Sequence, residues 1–473
     1  MIWLLACAPP PEPPPAPPVA LAAPWLAVGD VRDYAAVFWA YAPGATEVVF
    51  TWTWAGGAGS SEPVRLPLSG DPIARYRPTH LPVGTPITVV ASAKGPGGDA
   101  TSKATFSTAP DLEATAPLSL VVGGDLGGQG YCRHPADGYA ILDRIRERKP
   151  MLFLANGDLI YNDGVCPALA PDGAPNLPGD FASVKDVDWT DAAAVSATTR
   201  AHWRYNRGDP AFQRLLGEVP IVAQWDDHEV INDFGASWDR WTTGEPDRAG
   251  YPTLVREARA AFFDWSPIEA RPGDPTRVYR SFPWGKQALL VIADARSYRS
   301  PNGAADGPAK AMLGEAQLDW LIDALTTSTA TWKIVSLDVP LSVGTGDAFV
   351  PDAKTPGAVA ERDRLLRALD DAGTTGVVVV ATDVHWARIA ELAPDPNGDG
   401  RPLRLREVIS GPLRAWMGTP TPPDPALSPT VRFEAGDLPN FAWLAIDDAG
   451  ALTVEIVGAD GQPLPGATQR FTP

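Results

Sequence analysis

Positive charge is in short supply in this chain. Its 473 residues carry 39 Lys and Arg against 57 Asp and Glu, a formal net charge of −18. A surface that embraces a nucleic-acid backbone needs the opposite balance, so no nucleic-acid partner is expected. Long apolar runs are also missing, and no stretch reaches the roughly 18 residues that a membrane-spanning helix requires. Histidine occupies five positions and cysteine three. A metal site in such a chain draws mainly on oxygen donors, and cysteine offers at most one bridge. What is abundant is chain length, enough for two or three domains.

The opening residues contain Leu4-Leu5-Ala6-Cys7, which resembles a bacterial lipobox in which Cys7 becomes the lipidated first residue of the mature protein. The stretch ahead of it is short and has no Lys or Arg, a departure from the usual basic start of an export signal. Residues 9–18 are mostly proline, an extended and semi-rigid spacer. The expectation is an exported protein of the bacterial cell envelope, touching the membrane only through a lipid on Cys7, or else secreted. Cys132 and Cys166 are then an even pair in an exported chain. They read as one disulfide, with two free buried thiols as the alternative.

Residues 1–23 make the signal and tether, and residues 24–110 the first folded unit. Within it 35–41, 47–54 and 86–93 are short, aromatic or β-branched runs separated by Gly, Pro and Ser, which predicts a small all-β sandwich. Residues 111–117 read as a linker, and 118–473 as a second, larger domain. There the pattern changes to strands at 118–122, 151–154, 220–223, 288–293, 333–337 and 376–381, alternating with helices at 136–149, 211–217, 314–328 and 358–372. That alternation predicts α/β architecture with a largely parallel, covered sheet. Residues 441–446 and 452–457 predict a terminal hairpin completing a second sheet. Long irregular loops at 167–191 and 237–250 are candidates for substrate choice.

Ligands gather at the carboxyl ends of strands in open α/β sheets. Here Asp125, Asp158, the pair Asp226-Asp227, Asp294 and Asp383 each follow a predicted strand, and His228 and His385 lie beside two of them. Converging carboxylates repel one another unless cations sit among them. Asp395-Pro396-Asn397-Gly398-Asp399-Gly400 mimics the start of a calcium loop. Its twelfth position is Arg406, so it reads as a hairpin turn.

Gly157-Asp158-Leu159-Ile160-Tyr161 resembles the GDxxY motif of purple-acid-phosphatase-like metallophosphoesterases. Trp225-Asp226-Asp227-His228-Glu229-Val230 closely resembles the WDDHEV signature of the alkaline phosphatase D family, and Asp294-Ala295-Arg296-Ser297-Tyr298-Arg299 and Thr382-Asp383-Val384-His385 are similar to two further segments of it. The resemblance covers roughly residues 25–460. It implies a four-layer α/β/β/α sandwich behind a small fibronectin-type-III-like sandwich, and metal-dependent hydrolysis of phosphate esters. By the same resemblance Asp125, Asp158, Tyr161, Asp227, Asp383 and His385 are metal ligands, with Asp158 bridging and Tyr161 bound as tyrosinate. His228 contacts the leaving group. Arg296 is a candidate phosphate clamp, or else a salt-bridge partner of a site acid, and Arg133 is a weaker clamp candidate. His134 and His202 read as surface or supporting residues.

Asp125-Leu126-Gly127 lacks the His of the superfamily's DxH, and 336–339 lacks the His found there in many relatives. The ions expected are two or more, Fe3+ with Ca2+, with Mn2+, Mg2+ or Zn2+ as alternatives. The expected substrate is a small phosphate monoester, and a diester as well. The rival readings are a dedicated phosphodiesterase acting on phospholipid or envelope polymer, and a non-catalytic surface binding lipoprotein. Nothing in the sequence sets an oligomeric state.

Overall fold

A computed structural model describes residues 20–235, 249–269, 271 and 273–473. Cys7 and most of the 237–250 loop lie outside the described residues. Strand Leu118–Gly123 shows how the layers arise from the sequence. Side chains alternate across a strand. Leu118, Leu120 and Val122 enter one core, whereas Val121 enters another. The neighbouring strand Leu152–Asn156 divides the same way, with Leu152 and Leu154 on one side and Phe153 and Ala155 on the other. Both faces are apolar, so both are covered.

These two strands and Ile221–Gln224 run parallel at the centre of one sheet. Ala288–Ile292, Trp332–Ser336, Val377–Ala381 and Leu405–Ile409 run parallel in a second. Leu290, Ile292, Ile334, Val378 and Val380 meet Leu120 and Leu154 in the core between the sheets. Helices Ala140–Glu147, Ala192–Arg207, Pro210–Leu216 and Tyr251–Trp265 cover the outer face of the first sheet. Helices Glu315–Thr327 and Val359–Asp371 cover that of the second. The result is the four-layer α/β/β/α arrangement.

Two details differ from the sequence reading. The sheet is not largely parallel, because antiparallel strands flank both parallel centres. The terminal pair Asn440–Ile446 and Leu452–Gly458 does form a hairpin, but it extends the first sheet beside Leu118–Gly123. The turn at 395–400 joins the antiparallel strands Ala387–Leu392 and Leu405–Ile409, with Asp395 accepting from the N–H groups of Asp399 and Gly400 at 3.1 and 3.0 Å.

Near the amino terminus, Trp25–Gly29, Val37–Tyr41 and Ile73–Tyr76 face Glu47–Trp54, Pro86–Gly95 and Gly98–Ser107 across a core that includes Phe38, Phe50 and Val89. This sandwich is continuous with the rest. Gly29 pairs with Ile221 in parallel, so its three-stranded face prolongs the first of the two central sheets. The outward rings of Trp25, Trp39 and Tyr41 pack against Trp265, at centroid distances of 6.3, 5.8 and 5.0 Å. Asp30 forms a buried ion pair with Arg280 at 2.8 Å, and Arg280 also donates to the Ala223 carbonyl.

Candidate metal centre

Four central strands end beside one cavity of about 400 Å³, lined among others by Asp158, Asp227, His228, Asp383 and His385. Leu118–Gly123 leads to Asp125, Leu152–Asn156 to Asp158 and Tyr161, Ile221–Gln224 to Asp226, Asp227 and His228, and Val377–Ala381 to Asp383 and His385. The chain leaves these strands abruptly. Asp125, Asp158, Asp383 and His385 have left-handed φ values of 57°, 51°, 69° and 62°. Such backbone costs on the order of 1 kcal/mol or more per residue and persists where its surroundings enforce it.

Glu229 supplies part of that enforcement. Its buried carboxylate accepts from the N–H groups of Asp158 at 3.1 Å, Leu159 at 2.7 Å and Asp226 at 2.7 Å, tying two of the loops together. Two glycines permit the close approach. A Cβ on Gly157, whose φ is +88°, would lie 2.4 Å from the Asp226 Cβ, and one on Gly128 would lie 2.3 Å from the Tyr161 ring. Thr382 stands where the family motif has glycine, and its hydroxyl donates to the Asn156 carbonyl at 2.6 Å.

All six candidate ligands meet here. One ligating atom each from Asp125, Asp158 and His385 lie within 4.8 Å of one another, and the same holds for Asp158, Asp227 and His228. Asp158 belongs to both groups. The Tyr161 hydroxyl is 2.9 Å from His385 Nε2. Asp383 sits in a third group with Asp226 and Asp227, and Asp227 in a fourth with Asp233 and Asp347.

Burial first, then the charges of neighbouring carboxylates, push Asp125 and Asp158 well above the ordinary carboxylate range. Asp383 is raised by burial and by Asp347 and Asp226. Burial also lowers His385 to about 4, which keeps its imidazole neutral and able to ligate. Oδ2 of Asp125, Oδ2 of Asp226 and Oδ1 of Asp227 are buried without a hydrogen-bond partner among the described residues. Orphaned carboxylate oxygens within these linked groups, with a phenol and an imidazole beside them, fit hard cations.

His228 differs from His385. Burial pulls its pKa down, but Asp163 and Asp227 outweigh that and raise it to about 9. Its Nδ1 lies 2.6 Å from Asp163 Oδ1, and Lys185 Nζ lies 2.9 Å from Asp163 Oδ2.

Arg296 is not the phosphate clamp considered above. Its side chain is wholly buried, and its guanidinium is occupied by Asp226, Asp347 and, at 3.1 Å, Asp383. It is an internal counter-ion of the acid cluster. Arg133 is likewise committed, to Asp209 and to the carbonyls of Tyr205 and Gly208 at the end of helix Ala192–Arg207. Asp294 stays out of the ligand groups, accepting instead from Trp225 Nε1 and the N–H groups of Arg296 and Ser297. His134 is a surface residue beside Asp137, and His202 is buried under Phe181.

Sequence reasoning passed over Asp163, Asp233 and Asp347, and gave Asp226 no role of its own. Asp163 carried a weak signal, lying two residues beyond Tyr161, whereas Asp347 stands in a segment with no motif. Cys132 and Cys166 are bonded, their Cα atoms 5.7 Å apart, and so connect the segments that follow Asp125 and Tyr161.

A family model described as PhoD-like phosphatase matches residues 120–460. Alkaline phosphatase D of Bacillus subtilis (strain 168) is 25% identical over 270 residues, which is 53% of this chain and 44% of that protein. The match thus spans less than half of that relative's length. A solved structure of PhoD superimposes with a TM-score of 0.74 at 16% identity, covering 95% of this chain and 92% of the other. The purple acid phosphatase PPD1 from yellow lupin (Lupinus luteus) seeds gives 0.62 at 13% identity, covering 96% and 75%. At these identities the two structures speak to the fold.

Proposed function

This chain belongs to the PhoD-like phosphatase family, and we propose that it is a metal-dependent phosphoesterase that hydrolyses phosphate monoesters, and diesters as well, outside the cytoplasm. One observation carries the reading: Asp158 belongs to two groups of potential ligand atoms at a cavity that His228 also lines. Asp125, Asp158, Tyr161 and His385 would hold one ion, and Asp158 and Asp227 a second. A phenolate suits Fe3+ and the carboxylate-rich side suits Ca2+, with Mn2+, Mg2+ or Zn2+ as alternatives. When bound, two such cations neutralise charge on the phosphoryl oxygens and lower the pKa of a shared water.

The chain's own groups do the rest. Asp163 occupies Nδ1 of His228 and fixes the ring, so the transferable proton is on Nε2. From there it passes to the departing oxygen as the ester bond breaks. Glu229 and the left-handed turns hold the carboxylates at close quarters. No covalent phosphoenzyme is required.

The disulfide supports a location outside the cytoplasm, since such bonds persist where conditions are oxidising. Lipid attachment at Cys7 would add envelope anchoring, and loss of labelled-lipid incorporation in Cys7→Ala tests it. For the activity, p-nitrophenyl phosphate and bis-p-nitrophenyl phosphate are assayed with Fe3+, Ca2+ and Mn2+ supplied. Hydrolysis of both, faster for the monoester, is expected. No hydrolysis of either would remove the reading.

A further inference from the structure

We propose that the leaving group of the substrate carries a flat, nucleoside-type ring that stacks on Trp416; the proposal rests on the phosphoesterase reading of the cavity. Trp416 is 55% exposed although it is among the largest apolar side chains of the protein. A lone exposed aromatic is ordinary on a protein surface. This one lines the same cavity as the candidate ligands, and its ring centroid is 6.1 Å from that of His385.

The backbone around it is held to the site. Leu413 N–H donates to the Gly124 carbonyl and Arg414 N–H to the Asp125 carbonyl, both at 3.0 Å. Trp416 N–H donates to Gln129 Oε1 at 3.3 Å, and Gly418 N–H to the His385 carbonyl at 2.8 Å. The backbone that carries the indole is therefore tied to two candidate ligands. A Cβ on Gly418 would lie 2.8 Å from the Val384 carbonyl oxygen and 3.4 Å from Trp416 Cζ3, so glycine lets this stretch of backbone run close beside the ring. An exposed aromatic face gives up little entropy on stacking and is indifferent to which base it meets. Lys354, the one Lys or Arg among the described lining residues, adds a positive charge suited to an anionic nucleotide. An aliphatic polyol phosphate has no π face to offer this wall.

The test compares adenosine 5′-monophosphate with glycerol 2-phosphate in the metal-loaded full chain, for wild type, Trp416→Ala and Trp416→Phe. The ratio of kcat/KM, nucleotide over glycerol phosphate, should fall on the order of tenfold in Trp416→Ala, mainly through KM, and recover in Trp416→Phe. Calorimetric binding of adenosine, which has no phosphate to hydrolyse, should weaken in parallel. An unchanged ratio in an active enzyme overturns the stacking proposal and leaves the phosphoesterase reading standing. Binding of adenosine that depends on Trp416, in a protein that hydrolyses neither of these monoesters nor bis-p-nitrophenyl phosphate, supports stacking and overturns the phosphoesterase reading. A wild type that neither binds adenosine nor hydrolyses any of the three esters overturns both.

Discussion

His228 has two distinct ring nitrogens, and their partners assign their roles. Nδ1 faces Asp163, itself held by Lys185, and the ring is 4.1 Å from that of Tyr161 between centroids. Removing the imidazole deletes the proton donor without deleting a carboxylate from the cluster. His228→Ala should lower kcat on the order of a hundredfold, with metal content unchanged by elemental analysis. Undiminished turnover would contradict the assignment. At this scale the sequence was legible where a strand ended in a recognisable motif, as at Asp158, Tyr161, Asp227 and His385. It was silent on Asp233 and Asp347, which reach the cavity from loops without a strand directly before them. It left Arg296 open between clamp and salt bridge, because whether a guanidinium faces a cavity or its own carboxylates depends on burial, which the motif does not state.

Among elements, strands with apolar runs were found within a residue or two, since both their faces must be buried. Helix Ala192–Arg207 was not found, because its buried face is largely polar. Thr199, His202, Asn206 and Arg207 sit on it with Val195 and Trp203, so no apolar period marks it. His202 on that helix donates from Nε2 to the Ala182 carbonyl at 3.0 Å, and burial lowers its pKa to about 4. The native state therefore keeps His202 neutral while the unfolded chain protonates it below about pH 6.5. Stability should fall as pH drops from about 6.5 towards 4, by up to roughly 3 kcal/mol from this group. Denaturant titrations of wild type and His202→Gln across that window should show a stability difference that changes with pH. A difference constant with pH would contradict the account.

For the whole molecule, the change of pattern near residue 110 stands in the chain, but the continuity of the sheet across it was not legible there. A single parallel pairing at Gly29 and a distant ion pair leave no local trace in the chain. Because Asp30 and Arg280 are both buried, removing one leaves an uncompensated charge. Asp30→Ala should destabilise the protein by about 3–5 kcal/mol, measured by equilibrium unfolding. A change below about 1 kcal/mol, typical of an exposed pair, would show that this clasp does not hold the sandwich to the catalytic layers.

The central claim is that the crowded carboxylates exist to hold cations that act on a phosphate ester. Metal stoichiometry of the purified chain, compared with that of Asp158→Asn, tests it most directly, since Asp158 joins two ligand groups. The account predicts two or more ions per wild-type chain and loss of at least one in the variant. A wild-type chain that hydrolyses phosphate esters at full rate with no bound metal would contradict it.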